Sequence, residues 1–292
     1  MSWPIASKDG KKIFVVGRTF RGESTRYDVK SGQFVPFLGG ISAEYYAFSK
    51  DGQWVAYVSH PEGNLRRSRV DGSERLELTH PPDYASMPRW SPDGKTIAFF
   101  EQSPNKPSRI YEVSPEGGTP RPLMPDDANP QADPNWSPDG GNIVFAGSAH
   151  DAASTIRILD LTTHQIETIP GSQNLSEPRW SPNGRYLIAV SISSDTSQTL
   201  YDFQTKKWTE MPKGIRWPNW SKDGQYVYFV KGLDAVYRIR TSDGKVERVA
   251  DLAHFRTTGR WDGSLTLAPD DSPLLLRDAG TQEVYALDWE EP

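Results

Sequence analysis

The sequence predicts an all-β fold, a seven-bladed β-propeller of four-stranded antiparallel blades whose last blade lacks its fourth strand. Three observations predict it. A phrase made of an apolar or aromatic residue, a small residue and a turn ending near Asp-Gly, followed by a β-branched and aromatic run, occurs seven times. The copies begin at Ala6, Phe48, Trp90, Trp136, Trp180, Trp220 and, in decayed form, Leu267. Their spacings of 42, 42, 46, 44, 40 and 47 residues suit a four-stranded blade and exceed an ankyrin or leucine-rich repeat. The 24 Gly, 24 Pro and 33 aromatic residues suit short strands joined by tight turns.

Taken in order, the third copy serves as the type. Its segment ending Arg89-Trp90-Ser91 reads as the first strand, Pro92-Asp93-Gly94 as the turn and Thr96–Phe100 as the second strand. Ser108–Ser114 and Arg121–Met124 read as the third and fourth. Pro presets φ in such a turn, Asp bonds nearby backbone, and Gly accepts positive φ. The residues Trp90, Asp93, Gly94, Trp136, Asp139, Gly140, Trp180, Gly184, Trp220, Asp223 and Gly224 therefore read as architecture, with each Trp packed between neighbouring blades. Blades are expected to begin near 3, 45, 87, 133, 177, 217 and 264, all within a single domain over 1–292. The last supplies three strands before Pro292, and almost nothing precedes Trp3-Pro4 to complete it. The expected remedy is a strand from residues upstream of this chain, because bare sheet edges are a liability.

A net charge of −5 argues against a general nucleic-acid surface, which needs clustered cations. The densest basic group, Arg66, Arg67, Arg69 and Arg75, reads as a solvated blade edge. No stretch approaches a membrane span, and the opening residues MSWPIASKDGKK lack an apolar signal core. Without Cys there is no disulfide framework, thiol nucleophile or Cys-based zinc site. The expected location is the cytoplasm, or outside it if the chain is a fragment.

The phrases WSPDGKTIAFF, WSPDGGNIVFAG and WSPNGRYLIAVS closely resemble the WD40-like (PD40) repeats of the TolB propeller family, and the resemblance covers the whole chain. It is specific for fold and unspecific for activity. More narrowly, YDVKSGQFVPFLGGISAE and the ending LAPDDSPLLLRDAGTQEVYALDWEEP look like the C-terminal propellers of large soil-bacterial proteins. There, similar propellers follow a winged-helix DNA-binding domain or a Ser/Thr kinase domain. The resemblance implies that any such activity resides outside these residues.

Catalytic motifs are absent from the sequence. Gly147-Ser148-Ala149-His150 lacks the second Gly of a nucleophile elbow. No phosphate loop, H-E-x-x-H or Ca²⁺ loop occurs, and the five His residues are scattered. No cofactor is expected. The residues just before each first strand should ring the channel mouth, on the side of the longer loops that join second to third strands and one blade to the next. They place Glu44, Tyr45, Arg89, Asp133, Glu177, Arg179 and Trp217, with Met87, Asn135 and Asn219, around a common space. Asp133 and Glu177 hold one repeat position in adjacent blades, so they pair with Arg89 and Arg179, bind a polar ligand or peptide, or hold a hard cation. The leading expectation is a non-catalytic binding or sensory module whose loop face takes a protein segment or small polar ligand. The alternatives are an envelope-associated TolB-like interaction protein, or a hydrolase or lyase using Asp133, Glu177 and Tyr45.

Overall fold

The repeat phrase is a hairpin that its own side chains hold shut. Ser91 Oγ donates to Asp93 Oδ1 at 2.6 Å and accepts the Thr96 N–H at 3.0 Å, while Asp93 Oδ1 also accepts the Lys95 N–H at 3.1 Å. The same three bonds recur at Ser137/Asp139, Ser181/Asn183 and Ser221/Asp223. Gly94, Gly140, Gly184 and Gly224 follow with φ of 73°, 77°, 74° and 69°, a region open to Gly without a Cβ penalty. These bonds hold the turn carboxylates of Asp93, Asp139 and Asp223 below the usual range. In the decayed copy Asp271 takes the Gly position at φ 62°, and Ser272 Oγ supplies the bond to Asp270 at 2.6 Å.

The computed structural model describes residues 4–103, 106–147, 153–192, 197–258 and 264–288. Ser148 and His150 lie outside these residues. The chain is all-β: seven antiparallel sheets, six of four strands and one of three, with no helix among the described residues. The first strands are β1 (Ile5–Ala6), β2 (Lys12–Thr19), β3 (Gly22–Asp28) and β4 (Gln33–Pro36). Five sheets then follow in order: β5 (Ala43–Phe48), β6 (Trp54–Ser59), β7 (Leu65–Arg69) and β8 (Leu76–Glu77); β9 (Tyr84–Trp90), β10 (Ile97–Gln102), β11 (Arg109–Val113) and β12 (Arg121–Pro122); β13 (Ala132–Trp136), β14 (Asn142–Ala146), β15 (Ile156–Asp160) and β16 (Ile166–Thr168); β17 (Leu175–Trp180), β18 (Tyr186–Ser191), β19 (Gln198–Asp202) and β20 (Lys207–Glu210); β21 (Arg216–Trp220), β22 (Tyr226–Lys231), β23 (Ala235–Arg240) and β24 (Val246–Asp251). The last strands are β25 (Thr266–Leu267), β26 (Pro273–Asp278) and β27 (Thr281–Asp288).

The termini do not form two consecutive blades, and the expectation of an upstream closing strand is corrected. One sheet runs β25-β26-β3-β4 and another β1-β2-β27, so the chain closes its own seam. From Arg26↔Leu274 through Gly22↔Asp278 to Lys12↔Asp288, every partner pair keeps one offset. The two ends are thus a single antiparallel ribbon, and register, once set in the seam, carries outward. The first strands of the six four-stranded sheets touch in cyclic order, β5, β9, β13, β17, β21, β25 and back to β5. The three-stranded sheet lies outside that circuit.

Second strands make the core. Ile97–Phe100, Ile143–Ala146 and Val227–Val230 are buried, with Phe99, Phe145 and Phe229 at matching positions. Strands covered on both faces read as continuous apolar runs, as these do. The basic group of the second repeat is engaged rather than merely solvated. Arg67 and Arg69 lie 4.2 and 4.0 Å over the Trp54 ring, and Arg66 pairs with Glu77 at 2.5 Å.

Candidate functional site: the central channel

Three tiers of side chains project from the first strands of the six ring sheets. Phe48, Trp90, Trp136, Trp180, Trp220 and Leu267 end these strands and are half-buried. Immediately before them stand Ala47, Arg89, Asn135, Arg179, Asn219 and Thr266, and three residues before them Tyr45, Met87, Asp133, Glu177, Trp217 and Ser264.

The innermost tier is set by a recurrent bulge. In five of the six sheets the first and second strands shift register at this point. There Tyr45, Met87, Asp133, Glu177 and Trp217 take φ of 56°, 47°, 55°, 48° and 55°. Left-handed backbone costs a residue with a Cβ about 1–2 kcal/mol, and a bulge re-aims a side chain. Five such residues in one ring make the waist of the channel. Only about 20 Å³ stays open between Tyr45, Met87, Arg89, Glu177, Arg179 and Trp217, roughly the room of one water.

The waist is charged. Asp133 is 1% exposed, Arg179 Nη2 lies 4.0 Å from Glu177 and 3.2 Å from Met87 Sδ, and Arg89 Nη1 donates to the Pro88 carbonyl at 2.9 Å. Burial, then the neighbouring Asp133, pushes Glu177 up to about 7 against the pull of Arg179 and Arg89. Burial, then repulsion from Arg179, pushes Arg89 down to about 9. Tyr45 is raised well above its ordinary value by burial, then by Glu44. Glu44 itself lies away from the axis: Tyr84 donates to it from the next sheet, and His60 Nδ1 is 3.7 Å away. Gly63 (φ 81°) permits this arrangement, because a Cβ there would sit 2.0 Å from the Tyr84 ring.

The aromatic tier opens on the opposite side, among the first-to-second-strand hairpins. A funnel of about 610 Å³ is lined by Trp90, Trp136, Trp180 and Trp220, by Pro92, Pro138, Pro182 and Pro269, and by Arg89, Asn135 and Asn219. Two of these Trp residues also tie neighbouring sheets together. Trp136 Nε1 donates to Arg89 O at 3.0 Å and Trp220 Nε1 to Arg179 O at 3.1 Å. Trp180 stacks on Phe203 at 4.9 Å. Sequence reasoning gathered the waist residues but placed them at the mouth, and it missed the funnel. Its signal is the run of aromatics at one repeat position, for which the sequence predicts packing alone.

Among the described residues, no group of three or more His, Asp or Glu side chains is arranged to hold a metal ion. Nor is any helix among the described residues long and apolar enough to cross a membrane.

No protein-family model matches the sequence. Over 86 residues the chain is 31% identical to the uncharacterized peptidase YuxL of Bacillus subtilis, a match spanning 26% of this chain and 13% of that protein. Among solved structures, a putative TolB from Agrobacterium tumefaciens superposes with a TM-score of 0.70 at 20% identity, covering 89% of this chain and 99% of that one. TolB from Acinetobacter baumannii gives 0.61 at 21% identity over 93% and 81% of the two chains. An oligogalacturonate lyase in complex with manganese gives 0.61 at 14% over 94% and 95%. At such identities these likenesses give this chain the TolB-like β-propeller fold and leave its activity to be argued from its own side chains.

Proposed function

We propose that the protein is a non-catalytic propeller module that binds a protein segment or a small polar ligand on the axis of its channel. The tiered channel carries this reading. A rigid ring sets Tyr45, Arg89, Glu177, Arg179 and Trp217 around one space with Asp133 buried beside Glu177, and strained backbone is retained where surrounding structure over-determines it. Such a site suits recognition, because polar and charged groups already held in place need little reordering when a ligand arrives. The longer loops remain the proposed approach for the polar ligand. In a larger bacterial regulator, the ring would report binding to an attached winged-helix or kinase domain, in the cytoplasm. In an envelope setting it would be an interaction protein of the TolB kind.

A hydrolase or lyase reading has one observation in its favour: Tyr45, Asp133 and Glu177 interact electrostatically across the waist. The thermal midpoint, screened against peptides, sugars, nucleotides and divalent cations, separates the readings, since a ligand of the folded state raises it. A rise lost in Asp133→Ala/Glu177→Ala supports the axial site. Turnover of oligogalacturonate with manganese, or of a peptide, abolished in the same variant, would replace binding by catalysis.

A further inference from the structure

The funnel among the hairpins differs chemically from the waist below it. Its wall is four Trp and four Pro residues, and its charged lining is Lys50, Arg89 and Lys222 against Asp271. That is a cationic excess in a chain of net charge −5. Asp271 is already engaged, accepting the Lys222 N–H at 2.8 Å, and the turn carboxylates of Asp93, Asp139 and Asp223 are taken up by their own hairpins. Arg89 lies at the floor, where funnel and waist meet. Among the described residues its guanidinium makes one hydrogen bond, to the adjacent Pro88 carbonyl, and no ion pair.

Two amides on the same tier are fixed by their bonding. Asn135 Oδ1 accepts the Trp180 N–H at 2.9 Å, which leaves its NH₂ without a protein acceptor among the described residues. Asn219 Nδ2 donates to Trp217 O at 2.9 Å and Leu265 O at 2.8 Å, which leaves its Oδ1 without a protein donor there. One spare donor and one spare acceptor beside a guanidinium match a peptide main chain ending in a carboxylate. The surrounding Trp and Pro surface suits apolar side chains, and a volume of about 610 Å³ lies within the usual range for a ligand pocket.

We propose that the hairpin-face funnel binds the C-terminal end of an extended apolar peptide, its carboxylate on Arg89 and its last amides on Asn135 and Asn219. This rests on the axial-binding reading and adds a second entrance with its own ligand chemistry. The partner is a protein with an apolar, free C-terminus. Lys50 and Lys222 at the rim attract the negative end before it docks.

The test uses an N-acetylated tetrapeptide of leucine and proline, as free acid and as C-terminal amide, titrated into the full chain and followed by tryptophan fluorescence. The free acid is expected to bind at least about tenfold tighter than the amide, the scale of one charge-assisted hydrogen bond. Arg89→Gln should remove that preference, so that acid and amide bind it alike. Lys222→Glu, at an exposed rim position, should weaken the acid severalfold with an unchanged thermal midpoint, which keeps the test valid if Arg89→Gln folds poorly. Equal binding of acid and amide to the unaltered chain, or no binding of either, overturns the proposal, as does octanoate binding as tightly as the peptide. If screened peptides bind but respond to Asp133→Ala/Glu177→Ala and not to Lys222→Glu, the axial reading stands and the funnel assignment falls.

Discussion

The second strands of the ring and the strands of the terminal sheet carry similar apolar runs and meet opposite fates. In β14, Ile143, Val144, Phe145 and Ala146 are all 0% exposed, whereas in β2 and β27 Phe14, Val16, Val284 and Leu287 remain 39%, 41%, 71% and 51% exposed. Both sets lie in antiparallel sheets, but β14 is paired on both sides, by β13 and β15, whereas β27 is an edge strand paired only with β2. They also differ in their neighbours: each ring sheet is covered by the sheet before and after it, while the ribbon formed by the chain ends has run past the seam. Strand pairing makes a sheet, but packing between sheets makes stability.

The largest test of that contrast is truncation of a ring Phe. Phe145→Ala should cost about 3–5 kcal/mol in chemical denaturation, the usual penalty for emptying a fully packed aromatic site. A cost near 1 kcal/mol would show that the ring core is loosely packed. Gly63→Ala comes next. It places a Cβ in the Tyr84 ring at a positive φ, so a loss above about 1 kcal/mol is expected, with disturbance of the Tyr84–Glu44 bond. A neutral outcome would mean that the two sheets can slide apart there.

The waist supplies a pH test of smaller size. Glu177 is raised to about 7, so the native state holds more protons than the unfolded state between the ordinary carboxylate pKa and 7. Stability from this group is full below the unfolded value and declines as pH rises through about 7. Glu177→Gln should flatten that decline, leaving a residual slope from Glu101, also raised to about 7 by burial and then Asp83. An unchanged profile would mean that Arg179 and Arg89 fully offset the burial. The smallest effect is expected at the arm: Val284→Ala should cost less than about 1 kcal/mol, since that side chain stays 71% exposed and little of it leaves water on folding.

The hairpins were legible because their chemistry is local: Ser91, Asp93 and Gly94 act within six residues of each other. The seam was not, because Arg26 finds Leu274 across most of the chain and only the decay at Asp271 hinted at a different blade. Tyr45, Met87 and Trp217 gave no sign of positive φ, since side chains of this size disfavour it. Their bulge follows from ring packing, as does the open side of Trp90, Trp136, Trp180 and Trp220. The grouping of Asp133, Glu177, Arg89 and Arg179 could be read directly from equivalent repeat positions.

Native-state amide hydrogen exchange of the full chain tests the central division most directly, because it resolves opening free energies along one ribbon. The account predicts that Leu274–Leu276 and their β3 partners exchange as slowly as Ile97–Phe100, while residues 12–19 and 281–288 exchange orders of magnitude faster. Equal protection along the whole ribbon would contradict it, and would place the terminal sheet within the cooperative ring.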